Sequence, residues 1–203
     1  MTEILKIFPT PIYCANKIEF SKTEIDFFLN SKKDKKANEG NTTNADYNIL
    51  DNPLMVSLKN KLNHELQNYY NIIEQPKNLL KPYITQSWLN FTEKNQYHHR
   101  HRHDNSLVSG VLYVQTTDEN DCIFFYKDEQ HVTTDFMKFK NNEFNSKEIK
   151  VQIQTGNLLL FPSKLDHSVP KKTTSGVRIS LSFNSFVKGN IGDNEKLTGL
   201  ILK

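Results

Sequence analysis

Hydrophobic positions change their period once along this chain. Up to about residue 80 they recur at helical spacing. From Pro82 onward they come in short runs that alternate with polar residues and are broken by turns. Pro9 and Pro11 bracket an extended lead-in, and Ser21 is placed to cap a helix through Ile25, Phe27, Phe28 and Leu29. That helix runs out into Lys32, Lys33, Lys35 and Lys36, which read as a solvated end. Gly40 and its Asn/Thr neighbours then read as a mobile loop. Asp51 with Pro53 opens a second helix, in which Leu54, Leu58, Leu62 and Leu66 fall four apart beside Met55, Tyr69 and Tyr70. Such a stripe lies on an apolar surface, and His64 within it reads as a surface or packing residue.

Beyond Pro82 the pattern predicts strands at 83–91, 107–115, 122–126, 149–154, 158–161, 168–169 and 177–186, with a polar turn at 116–121 and a Gly156 turn. Brief alternating strands with two amphipathic helices predict a mostly β fold: an antiparallel sandwich or small barrel with helices packed outside. The expected organisation is an N-terminal helical elaboration at 1–80, a β core at 81–188 and a tail at 189–203.

Composition narrows the function. A chain of 203 residues suits one core domain that needs no staple. Lys+Arg 26 against Asp+Glu 23 gives +3, too weak an excess to argue for nucleic acid. Cys14 and Cys122 stand far apart, which excludes a disulfide framework and a four-cysteine zinc site and predicts a reducing, cytoplasmic setting. No apolar run approaches the roughly 20 residues of a membrane span. The opening MTEILKIFPTPIY lacks a cleavage site after an apolar stretch, so no signal peptide is expected.

Four of the seven histidines crowd into 98–103. Residues two apart share a strand face, so His101 with His103, or His99 with His101, can converge on one metal. Asp104 points away unless a bulge turns it in. An exposed polar loop has the same composition. Later, a strand rises to Pro162, turns, and delivers a lone His167. The next strand alternates cleanly: Arg178, Ser180, Ser182 and Asn184 on one face, Val177, Ile179, Leu181 and Phe183 on the other. That polar face lies in water, or else it points inward and the guanidinium requires a buried anion such as a carboxylate.

In order along the chain come Ile7-Phe-Pro-Thr-Pro-Ile12, Ser87-Trp-Leu-Asn90, His101-x-His103, Ser109-Gly-Val-Leu-Tyr113, Leu160-Phe-Pro-Ser163 and Arg178-Ile-Ser-Leu-Ser-Phe-Asn184. Together they resemble a little-characterised branch of the Fe(II)- and 2-oxoglutarate-dependent oxygenases. The resemblance implies a double-stranded β-helix (jelly-roll, cupin-like) core. It implies His101 and His167 as ligands of Fe(II), with Arg178, Ser180 and Tyr113 gripping the far carboxylate of 2-oxoglutarate. Asn90 and Asn184 either reach the cosubstrate from neighbouring strands or close strand ends, and Asn90 is the stronger candidate. The family's middle ligand is Asp or Glu, and here that position holds His103. A three-His centre carries one more positive charge and a different redox tuning. His99 is the reserve ligand, and His98 and His131 are expected outside the centre. Trp88, Phe161 and Phe183 are expected to pack around the barrel. The segments 32–44 and 127–147 are expected to form lids or substrate grooves.

The implied reaction is a dioxygenase hydroxylation of an unactivated C–H bond, on a prolyl or other amino-acid side chain, with release of succinate and CO2. The partners are then O2 and a small-molecule or peptide substrate. Two alternatives stand beside it: a three-His cupin-like dioxygenase that uses no 2-oxoglutarate, and a non-catalytic barrel that only binds.

Overall fold

The computed structural model describes residues 3–127 and 137–203. His131 and the rest of 128–136 lie outside the described residues. After a short strand β1 (Tyr13–Cys14), the first helix α1 (Lys22–Asn30) begins where the sequence places it. The Ser21 side chain accepts from the Glu24 backbone N–H, and the Glu24 carboxylate accepts from the Ser21 N–H, a reciprocal cap. Phe28 is wholly buried.

The stretch after α1 is not the loop its composition suggests. A 3-10 turn leads into a hairpin, β2 (Lys35–Ala37) and β3 (Thr42–Asn44), and β3 pairs onto the main sheet. The polar residues make the ladder themselves. Thr43 Oγ1 donates to the Leu89 carbonyl at 2.8 Å, and Asn44 Oδ1 accepts the Leu89 N–H at 2.6 Å.

The second helix starts later than Asp51. Asn52 caps a 3-10 turn at Pro53–Met55, and α2 runs over Val56–Tyr69. Leu54 therefore precedes the helix and is 53% exposed, while Leu58, Leu62 and Leu66 are completely buried. Each of those three contributes about 1.5–3 kcal/mol by leaving water. They dock α2 on the outer face of the main sheet against Leu89, Phe91, Leu112 and Leu181.

The remaining strands are β4 (Leu80–Thr92), β5 (His98–His101), β6 (Val108–Gln115), β7 (Cys122–Tyr126), β8 (Glu148–Gln152), β9 (Leu158–Pro162), β10 (His167–Val169), β11 (Arg178–Ile191) and β12 (Leu200–Leu202). Two antiparallel sheets result. The larger runs β1-β9-β6-β11-β4-β3-β2, with β12 on β11, and the smaller runs β5-β10-β7-β8. Val111, Tyr113, Leu159 and Phe161 of the larger sheet pack against Ile123 and Phe125 of the smaller, forming a second core between them. This is the expected mostly β sandwich with flanking helices. Beyond the hairpin, β5 and β12 also go past the sequence reading: β5 is made of His and Arg and carries no apolar alternation, and β12, a short Leu-Ile-Leu segment, folds back on β11 from Gly189↔Leu202 to Ile191↔Leu200.

Candidate metal centre

Register brings the distant histidines together. β10 lies antiparallel to β5 with His167 directly opposite His101, and their rings are 4.3 Å apart. His103 lies just past β5. Its backbone N–H donates to the Ser163 carbonyl at 2.9 Å, which turns the chain back so that its ring sits 5.0 Å from His101 and 5.2 Å from His167. The ligand nitrogens of the three rings lie within 4.8 Å of one another. Among the described residues no carboxylate joins this group, and Asp104 stays outside it.

The backbone fixes the tautomers. Nδ1 of His101 faces the His99 carbonyl at 2.8 Å, and Nδ1 of His167 faces the Leu165 carbonyl at 3.0 Å. A ring nitrogen against a carbonyl carries the proton, which leaves Nε2 as a free lone pair. Burial pushes the His167 pKa down to about 3 and that of His103 to about 4, with the neighbouring imidazoles adding to it. That of His101 falls for the same first reason. All three rings are neutral near pH 7, the form that binds a metal.

The three rings share one cavity with the inner wall of the main sheet. Along β11, Arg178, Ser180 and Ser182 line it, while Ile179, Leu181 and Phe183 belong to the core beneath the helices. The polar face of this strand therefore points inward, not into water. Ser180 lies between Asn90 of β4 and Tyr113 of β6. Tyr113 is 1% exposed and its hydroxyl has no hydrogen-bond partner among the described residues. Burial raises its pKa, so it stays protonated and able to donate. Asn90 donates from Nδ2 to Ser182 Oγ at 3.0 Å, and its Oδ1 has no partner among the described residues. An orphaned buried polar atom costs about 1–3 kcal/mol, so this wall is built for a polar guest.

The buried anion that Arg178 requires is present in the protein itself. Nη1 donates to Asp121 Oδ1 at 2.8 Å, and Asp121 Oδ2 accepts the Thr117 N–H at 3.1 Å. Arg has five N–H donors in a fixed fork, so one bond to Asp121 leaves others for a ligand. Asp121 ends the polar turn before β7. Nothing in its local pattern marks it, because its partner is 57 residues away. The sequence also gave no sign that serines would brace the site. Ser109 Oγ meets Ser163 Oγ at 2.8 Å and Asn184 Oδ1 at 3.2 Å, and Ser163 in turn holds His103 through its carbonyl. Asn184 thus ties strands together and does not line the cavity.

Of the predicted aromatic packing, Trp88 lines the cavity with its ring 5.8 Å from His103, and Phe161 packs 4.8 Å from His167. Phe183 lies on the other side of the sheet, in the main core. From the 32–44 segment, Asn41 reaches the cavity, and its turn is pinned by the Tyr97 N–H on the Gly40 carbonyl at 2.9 Å. His98 also lines the cavity, and His99 lies outside it, 3.6 Å from Glu39.

Residues 86–184 match the family model described as "Putative 2OG-Fe(II) oxygenase". That span contains His101, His103, Tyr113, His167, Arg178 and Ser180. No curated protein matches the sequence. Solved structures do match the fold. HygX from Streptomyces hygroscopicus, with nickel, 2-oxoglutarate and hygromycin B bound, is 12% identical over 87% of this chain and 82% of its own, at a TM-score of 0.59. The non-heme alpha ketoglutarate dependent carbocyclase SnoK from nogalamycin biosynthesis is 12% identical over 89% and 82%, at 0.59. A Pseudomonas putida prolyl-4-hydroxylase is 11% identical over 86% and 92%, at 0.55. At such identities the likeness speaks for the double-stranded β-helix fold.

Proposed function

We propose that this chain, whose residues 86–184 match the 2OG-Fe(II) oxygenase family model, is a dioxygenase that hydroxylates an unactivated C–H bond, on a prolyl or other amino-acid side chain of a small molecule or peptide. One observation carries the reading. Three neutral imidazoles converge on a cavity whose opposite wall offers Arg178, Ser180 and the unpartnered Tyr113 hydroxyl.

His101, His103 and His167 hold Fe(II), the first and last through Nε2. Arg178 and Tyr113 donate to the far carboxylate of 2-oxoglutarate, and the Ser180 hydroxyl adds a third bond. Asn90 supports this wall by fixing Ser182. Bound together, Fe(II) and 2-oxoglutarate supply the oxidising power: O2 is consumed, 2-oxoglutarate becomes succinate and CO2, and one oxygen atom enters the substrate C–H bond. Phe125, Phe161 and Trp88 line or back the site with apolar surface and keep water from it. Among the described residues no helix is long and apolar enough to cross a membrane. The two cysteines are free, which supports a reducing, cytoplasmic setting.

The test is an anaerobic titration of 2-oxoglutarate into the Fe(II)-loaded chain. A visible charge-transfer band should grow to one equivalent. A second reading, a three-His dioxygenase without 2-oxoglutarate, is favoured by the Asp121 carboxylate already seated on Arg178. It predicts stoichiometric iron with no such band. A purely binding barrel predicts no stoichiometric iron at all.

A further inference from the structure

Two histidines beside the centre have no part in it. His98 stacks on His101 with ring centroids 4.4 Å apart. His99 lies 4.8 Å from His101 and 5.3 Å from His98, and its buried Nδ1 has no hydrogen bond among the described residues and lies 3.6 Å from Glu39 Oε2. The ligand nitrogens of His98, His99 and His101, like those of the first trio, all lie within 4.8 Å of one another.

We propose that His98, His99 and His101 form a second seat for a zinc-like divalent cation, mutually exclusive with the seat made by His101, His103 and His167. The inference rests on the reading of the latter trio as the iron ligands. His101 belongs to both groups and cannot serve both at once. Its Nδ1 is committed to the His99 carbonyl at 2.8 Å, so it has one lone pair, at Nε2, for one coordination sphere. Three imidazoles with a carboxylate at hand, Glu39, suit Zn2+, and such donors bind Zn2+ or Cu2+ more tightly than Fe2+. A cation on the outer seat draws His101 away from the iron. Excess zinc then inhibits by removing an iron ligand, besides any direct exchange.

The test counts Zn2+ per chain by equilibrium dialysis and elemental analysis, on the 203-residue chain without a histidine tag. Wild type should bind one Zn2+ at saturation. H103A/H167A and H98A/H99A should each still bind one, and the variant with all four replaced should bind none. Removing His98 and His99 from H103A/H167A should weaken zinc binding at least ~100-fold. Binding by H103A/H167A no tighter than by the fourfold variant would overturn the outer seat. Two Zn2+ in wild type would overturn the sharing of His101. Loss of binding in H98A/H99A alone would overturn the inner trio and leave the outer seat standing. Melting curves establish that each variant is folded, and H103Q/H167Q replaces H103A/H167A should the latter not fold.

Discussion

Arg178 and Asp121 form an ion pair sealed inside the sandwich, Nη1 to Oδ1 at 2.8 Å, with side chains 4% and 5% exposed. Removing one partner of such a pair strands a buried charge, which costs about 3–5 kcal/mol, whereas replacing both with apolar groups costs far less. Asp121→Ala is therefore expected to destabilise the metal-free chain by that amount, and Asp121→Leu with Arg178→Met by much less. Chemical denaturation of the two variants checks it. Equal losses in both would mean that the pair is not the source of the cost.

Tyr113→Phe should separate ligand binding from folding. Its hydroxyl has no partner among the described residues, so its loss leaves stability unchanged or slightly raised. A hydrogen bond to a charged carboxylate is worth about 1.5–3 kcal/mol, so 2-oxoglutarate binding should weaken about 10–100-fold. A 2-oxoglutarate titration of each protein reads this directly. Unchanged affinity would remove Tyr113 from the clamp.

The histidines set a pH dependence. Unfolded, each titrates near 6.5. Folded, His103 is held near 4, His167 near 3 and His98 near 2, in each case first by burial. Between those values the unfolded chain binds protons that the folded chain does not. Stability of the metal-free protein is therefore full above about pH 6.5 and is lost progressively as the pH falls through about 4 toward about 2. Melting temperatures across that window should fall with acid, and less steeply once His103 and His167 are replaced by Asn. A flat profile in the wild type would contradict the buried neutral rings.

Gly110→Ala tests the packing under the cavity. Gly110 pairs with Phe183 across β6 and β11, and a Cβ at Gly110 would lie 2.1 Å from the Phe183 ring. Overpacking of this kind costs about 1–3 kcal/mol or more. Gly110→Ala with Phe183→Leu should recover much of that loss in a denaturation series. No recovery would place the strain elsewhere.

The sequence made the main sheet legible because its strands bury one face and alternate. β11 shows this most clearly, with Ile179, Leu181 and Phe183 in the core opposite Arg178, Ser180 and Ser182. The β2–β3 hairpin escaped because Asn44 and Thr43 make its bonds to the sheet, and a strand held by polar side chains has the composition of a loop. β5 escaped because an edge strand of His and Arg carries no apolar alternation. Its geometry is imposed by β10. The meeting of His101 with His167 was implied by family resemblance, since no local spacing can state a cross-strand register. Asp121 was illegible for a related reason: charge balance calls for an acid near Arg178 but does not say which.

The most direct test of the central claim is a crystal grown anaerobically with Mn(II) and 2-oxoglutarate, with the ion located by its anomalous scattering. The account predicts one ion held by the imidazoles of His101, His103 and His167, with the far carboxylate of 2-oxoglutarate on Arg178, Ser180 and Tyr113. An ion held by Asp104 or His99 in place of His103, or one that fails to touch both His101 and His167, would contradict it.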